Sequence, residues 1–312
     1  MVKTKAIIAV VFIIIVAIAG GLFSKFKSKS LPIVAIANWG PHGSLDETIV
    51  GIKKQLSAEV IFKILDVNFD QTLIIQTLYT LKANKPLVMV TMGTPITQAA
   101  KNLIKDTPIV FADVTNPKAV GLDSLAGVSD RQDLKIFIDF VKKLIPHARN
   151  IGLLYATSEA NDTALVNMMK LAAAEYGMGV IEVSVDHARD IPLRMEILNG
   201  KVDLIYVGVS GTIQPSLPAI VSIADRMKIP VFNAHENAVL KHYVVGSFGV
   251  NYYKIGNHVA EIIKRILHGE NVKNIKIIYP KQADFQGFVS KKRAAQFGIT
   301  LPINLDNITV VE

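Results

Sequence analysis

A chain of 312 residues, half of them hydrophobic, is long enough for two packed domains. It has no cysteine, which excludes a disulfide framework, a thiolate centre and a lipid anchor on an N-terminal cysteine. The net charge is +8, but residues 1–30 carry five lysines and no acid; without them 29 basic residues face 26 acidic ones, a net of +3, so the basicity sits partly in the leader and does not point to nucleic acid.

In that leader, Lys3 and Lys5 precede an unbroken apolar run, Ala6–Phe23, followed by SKFKSKS. Eighteen apolar residues are at the short end for spanning a bilayer. Ala17-Ile18-Ala19 is also a small-x-small site behind a basic and an apolar region. Residues 1–30 therefore read as one apolar N-terminal helix, either a cleaved signal peptide or a retained membrane anchor. Both place the rest of the chain outside the cytoplasm, in the periplasm or on the outer face of the membrane.

Beyond it, strands alternate with helices. Ile33–Ala37 reads as a buried strand, followed by the loop Asn38-Trp39-Gly40-Pro41-His42-Gly43-Ser44 and a helix from about Leu45 to Leu56. Val60–Val67 alternates as a strand, and Asp70–Ala83 has Leu73, Ile74, Thr77, Leu78 and Leu81 at helical spacing. Leu87–Thr91 is an apolar strand that breaks at Met92-Gly93-Thr94-Pro95 into another helix. Pro108–Ala112 leads to Asp113-Val114-Thr115-Asn116-Pro117, and a helix runs from about Arg131 to Leu144. The pattern repeats with strands at Asn150–Tyr155, Val180–Val185, Val202–Val207, Ile229–Phe232 and Val244–Phe248. Its helices are Thr163–Tyr176, Asp190–Leu198, a segment ending at Met227, and Tyr252–Leu267. Such βα units imply an α/β fold with doubly wound parallel sheets. Similar units on either side of Ile145-Pro146 imply two lobes.

Ligands of open α/β sheets sit beyond the carboxyl ends of the strands. The polar residues there are Trp39, His42 and Ser44; Thr94; Thr115 and Asn116; Glu159, Asn161 and Asp162; Ser210 and Thr212; and Asn233, His235 and Glu236. Hydroxyls and amides beside a lone Trp suit a small polar molecule with an apolar part. Thr94 reads as the N-cap of a helix with Pro95 at its first position, an arrangement that attracts an anion such as a carboxylate.

The blocks GTPITQAA, TPIVFADVTNPKAVGLD, LAGVSD, IGLLYATSEAN, VDLIYVGVSGT, IPVFNAHENAV and VNYYKIGNHVAEIIKRILHGE, in that order, resemble the solute-binding proteins of ABC transporters. The resemblance is to the tryptophan/tyrosine-type family and spans roughly Ile33–Gly269. It implies the type I periplasmic binding protein fold, with lobes joined by a hinge. Lobe 1 would hold 31–127 plus 246–280, and lobe 2 would hold 128–245 plus 281–312. It also implies a monomer that takes a small-molecule ligand to a permease and its ATPase, with no cofactor, metal or chemistry on the ligand. Thr94-Pro95 matches the family's Thr-Pro, implying a carboxylate site at Thr94. Glu159-Ala160-Asn161 matches its Glu-Ala-Asn. Asn116 stands where a carboxylate is common, Asp162 where a small hydroxyl residue is usual, and Ser210-Gly211 where the family often has Asp-Asn. An ammonium partner is therefore missing at Ser210, and Glu236 or Asp162 would replace it, unless the ligand is not an aromatic amino acid. The candidate ligand set is Trp39, Ser44, Thr94, Thr115, Asn116, Asn161, Asp162, Ser210, Thr212, His235 and Glu236.

Two other classes fit less well. An enzyme would need a signature the chain lacks: there is no G-x-G-x-x-G after an early strand and no G-x-x-x-x-G-K-[ST], and Gly208-Val209-Ser210-Gly211 ends in Thr212 where a nucleophile elbow needs Gly. His258 and Glu261 have no third metal ligand at useful spacing. A ligand-sensing ectodomain would need a partner chain to signal.

Overall fold

The computed structural model describes residues 30–302, 305 and 308–312. The run 6–23, read above as signal or anchor, lies outside them. Among the described residues no helix is long and apolar enough to cross a membrane.

Strands β1 (Ile33–Asn38), β2 (Ile61–Asp66), β3 (Val88–Met92), β4 (Ile109–Ala112) and β5 (Ala126–Val128) form an all-parallel sheet in the order β2-β1-β3-β4-β5. A second sheet contains β6 (Asn150–Tyr155), β7 (Gly179–Ser184), β8 (Leu204–Val207), β9 (Val231–Asn233), β10 (Gly246–Val250), β11 (Phe285–Ser290) and β12 (Ile308–Val311). Its order is β12-β11-β10-β9-β8-β6-β7, antiparallel only between β10 and β11. The stretch β7-β6-β8-β9-β10 repeats the strand order of the first sheet. Central strands covered on both faces must be apolar throughout rather than alternating. Val34–Ala37 and Val88–Val90 are accordingly fully buried, whereas edge strand β2 alternates in exposure.

The flanking helices are α1 (Gly43–Leu56), α2 (Ile74–Ala83), α3 (Thr94–Leu103), α4 (Leu134–Leu144), α5 (Ala160–Glu175), α6 (Ile191–Met195), α7 (Leu217–Met227), α8 (Asn237–Leu240), α9 (Tyr252–Leu267) and α10 (Lys291–Gln296). Most of the first sheet and its helices share one apolar core, with a small separate cluster of Phe111, Val114 and Leu122 beside it; the second sheet has one core on each face.

The chain passes between the sheets three times, at residues 129–133, at Asn251 and at 279–284. Two features bring the chain back to the first sheet after β10. Helix α9 packs on α1, β4 and β5, and Ile278 bridges to Val128. The α1–α9 contact is close because Gly51 faces Gly256; a Cβ on Gly51 would lie 2.3 Å from the Tyr253 carbonyl oxygen. Residues 246–250, expected with the first lobe, instead pair with β9 and β11 in the second sheet. Apolar composition marks them as a buried strand without saying in which sheet. The sequence reading assigned no elements to β11, α10 and β12, and they complete the second sheet.

Candidate functional site

In the order 2-1-3-4-5, the connections on either side of the first strand run to opposite faces of the sheet and leave a crevice at its carboxyl end. That point lies between β1 and β3 in one lobe and between β6 and β8 in the other. The loops beyond these four strands, with residues following β2, β4 and β5, line one cavity between the lobes. It is lined by Trp39, His42, Ser44, Phe69, Thr94, Asp113, Thr115, Asp130, Glu159, Asn161, Ser210, Gly211 and Gln214, among others. Its volume is about 40 Å³. This is a closed arrangement of the two lobes.

The first-lobe wall carries the start of α3. The N-cap is Gly93, not Thr94: the turn needs φ 90°, which glycine adopts without strain, so Thr94 is the first helical residue and Pro95 the second. No side chain caps this helix. The Thr97 side chain donates to the Gly93 carbonyl at 2.7 Å, and the Gly93 N–H donates to Ala112 O. The first-turn amides of Thr94 and Ile96 therefore have neither a side-chain cap nor a helical acceptor, and they stand at the positive end of the helix dipole.

Two carboxylates that the sequence reading passed over dominate the electrostatics. Asp113, at the end of β4, adopts a left-handed backbone (φ 56°) and accepts a hydrogen bond from Thr48 Oγ1 at 3.1 Å. Asp130, beyond β5, accepts one from the Tyr252 hydroxyl at 3.4 Å. Each has one buried oxygen without a hydrogen-bond partner; Trp39 Nε1 in the same wall and Asn161 Oδ1 on the second-lobe side likewise have none. Burial pushes the Asp130 carboxyl up to about 6 against the opposing Thr115 and Tyr252 hydroxyls. Burial, reinforced by Asp130, holds Asp113 well above the ordinary carboxylate range. Among the described residues, no lysine or arginine lines the cavity. His42 is neutral at pH 7, because burial and then His235 lower it to about 4.

On the second-lobe side, Glu159 organises the loop after β8. Its carboxylate accepts from the Thr212 N–H at 2.7 Å, the Gly211 N–H at 3.0 Å and the Ser210 hydroxyl at 3.3 Å. Trp39 meets Phe69 edge-on, with ring centroids 6.1 Å apart.

Of the eleven residues read from the sequence, Trp39, Ser44, Thr94, Thr115, Asn161 and Ser210 line this cavity, and five do not. Asn116 Oδ1 accepts the Ala119 N–H and closes a turn. Thr212 gives its amide to Glu159. The Asp162 carboxylate accepts the Ala156 N–H at 2.8 Å and lines a neighbouring cavity of about 10 Å³ with Gln132 and Tyr206. Burial and the nearby Glu159 charge raise it to about 8. His235 and Glu236 follow β9, one strand beyond the crevice. They sit beside Glu47, and Glu236 accepts from Gln286 Nε2 at 2.6 Å. His258 contacts Glu261 and Asp284 through different ring nitrogens, which ties α9 to the following turn rather than forming a chelate. Asp113 and Asp130 had a signal in the sequence: each is the first or second residue past a short apolar strand.

A family model described as ABC transporter substrate binding protein matches residues 33–310. The chain is 27% identical over 270 residues to a tyrosine-binding protein of Clostridioides difficile, an overlap of 81% of this chain and 77% of that one. Its structure is similar to the ABC domain in complex with L-Trp from Streptococcus pneumonia, with TM-score 0.82 and 25% identity over 89% of this chain and all of that one. A ligand-free, open substrate-binding protein with adhesive properties from Clostridium difficile gives TM-score 0.69 at 27% identity, over 90% of this chain and 99% of that one. At nearly equal identity, the fit to the open form is the poorer.

Proposed function

The chain belongs to the ABC transporter substrate-binding protein family, and from that premise we propose that it captures a small zwitterionic amino acid between its lobes for import through a permease and its ATPase. The observation that carries this reading is the lining of the enclosed cavity: two buried carboxyl groups, each with an unpartnered oxygen, together with an uncapped helix N-terminus and a tryptophan. The ligand ammonium goes to Asp113 and Asp130 rather than to Glu236 or Asp162. The ligand carboxylate takes the amides of Thr94 and Ile96, and the apolar part lies against Trp39 and Phe69. Lobe 1 is then 31–128 with 251–280, and lobe 2 is 129–250 with 281–312. Binding energy draws the lobes together and selects the closed form. The chain works outside the cytoplasm as a monomer, delivered or tethered by its leader.

Relatives named for tyrosine and L-tryptophan make aromatic amino acids the first ligands to test. Trp39 is the only tryptophan, so its emission reports binding of L-tyrosine directly. L-Tyrosine at about 100-fold over its dissociation constant should stabilise the protein by ~2.7 kcal/mol. The deaminated analogue, which lacks the ammonium, should lose about 2–5 kcal/mol of binding, as should L-tyrosine with Asp113→Asn. Equal affinity for the deaminated acid overturns the assignment of the ammonium to these carboxylates.

A further inference from the structure

Glu47 on α1 belongs to the first lobe, and His235 and Asn237 on the loop and helix after β9 belong to the second. The Glu47 carboxylate reaches across between them: one oxygen is 3.7 Å from His235 Nε2, the other 3.5 Å from Asn237 Nδ2. The two surfaces are flush here, since a Cβ on Gly43 would stand 2.9 Å from Asn237 Nδ2 and 3.2 Å from His235 Cε1. His235 is 3% exposed and its Nε2 has no hydrogen-bond partner. Its Nδ1 accepts the Asn237 N–H at 3.2 Å, so the ring proton sits on Nε2 and points at Glu47 and at Glu236, 3.9 Å away. A metal-binding imidazole needs that nitrogen bare while the other donates. The tautomer here is the reverse, so the Glu47, His235 and Glu236 group is a set of donors and acceptors rather than a chelate.

We propose that Glu47 is a positioning residue for ligand capture: it latches the lobes by accepting from His235 Nε2–H and Asn237 Nδ2–H, without touching the ligand. A buried N–H without a partner is costly, and an approach of under about 1 Å would complete the bond. The last step of closure therefore gains a protein–protein contact in addition to those of the ligand. The latch rests on the two-lobe capture reading above, but its ligand-free arm does not depend on which molecule binds.

The absence of cysteine allows one spin label per lobe, through Lys54→Cys and Lys241→Cys at exposed positions. In ligand-free protein, Glu47→Ala should shift the interlobe distance distribution towards longer separations, and Glu47→Gln, which keeps an acceptor oxygen, should restore part of the short population. With L-tyrosine as probe, Glu47→Ala should speed dissociation about three- to ten-fold with little change in association rate. Unaltered distances and dissociation overturn the latch, as does an effect seen only with added Zn²⁺ and abolished by EDTA. If wild-type protein binds no amino acid at all, the ligand class is wrong and the distance measurement still decides the latch.

Discussion

Trp39 and Gly211 meet across the cleft so closely that a Cβ on Gly211 would lie 2.4 Å from the indole Nε1 and 3.1 Å from the Phe69 ring. The two residues belong to different lobes, so this fit exists only when the lobes are together. The backbone at Gly211 is not in the left-handed region, and alanine is excluded there by space alone. Gly211→Ala should therefore leave the ligand-free fold intact and weaken ligand binding about ten-fold, the scale of overpacking by one methyl group. Titration followed by Trp39 emission checks both parts, with a red-shifted starting spectrum expected for the variant. Unchanged affinity would mean that closure does not bring these residues into contact.

Asp130 makes stability depend on pH in a direction opposite to most carboxylates. Its folded-state value of about 6 exceeds its ordinary 3.8, so the folded protein holds this proton more tightly than the unfolded chain does. Stability from this group is present at low pH and is lost as pH rises from about 4 through 6, a total of about 3 kcal/mol. His42, lowered from 6.5 to about 4, acts oppositely over nearly the same window, while the raised carboxyls of Asp113 and Asp162 act in the same direction as Asp130, so the wild-type curve alone does not single Asp130 out. The difference between Asp130→Asn and wild type isolates the effect. The variant should gain about 2–3 kcal/mol relative to wild type between pH 4 and pH 7 in denaturant melts without ligand.

Because α3 begins at Thr94, the proposed carboxylate donors are backbone amides and not the threonine hydroxyl. Proline is tolerated at a first helical position, so Thr94→Pro deletes the amide while preserving the helix. It should cost ten-fold or more in affinity for L-tyrosine, the range of about 1.5–3 kcal/mol for a hydrogen bond to a charged group. Thr94→Val deletes only the hydroxyl and should cost less. The reverse ranking in calorimetric titrations would return the role to the side chain.

The alternation of strands and helices was legible because central parallel strands must be apolar throughout, as Val34–Ala37 and Val88–Val90 are. Sheet membership was not: Gly246–Val250 is as apolar as its neighbours, and its pairing with β11 depends on a segment of weak pattern. Within the site, Trp39, Thr94, Asn161 and Ser210 stood out because they follow the strands that flank the two crevices. Glu236 stood out equally and lies off the cavity, since distance from the crevice is set by strand order, which local sequence does not encode. Asp113 and Asp130 resemble ordinary turn aspartates in sequence. What distinguishes them is burial without a partner for one oxygen, a property of the closed lobes together.

Glu159 offers a test in which packing and charge give separate readings. Its two oxygens each accept a different backbone amide, Thr212 at 2.7 Å and Gly211 at 3.0 Å. In Glu159→Gln one of those amides faces an NH₂ group instead of an oxygen. Leaving a buried donor unmatched costs about 1–3 kcal/mol, so the variant should be destabilised by roughly that amount. The loop carrying Gly211 should also exchange its amide hydrogens faster. At the same time the charge that helps hold Asp162 at about 8 is gone. Burial is the larger cause, so Asp162 should titrate below 8 in the variant while remaining above its ordinary value, as read from its carboxyl ¹³C shift. If amide exchange rises and Asp162 does not move, Glu159 acts on the loop through hydrogen bonds alone, and the Asp162 proton is held by burial.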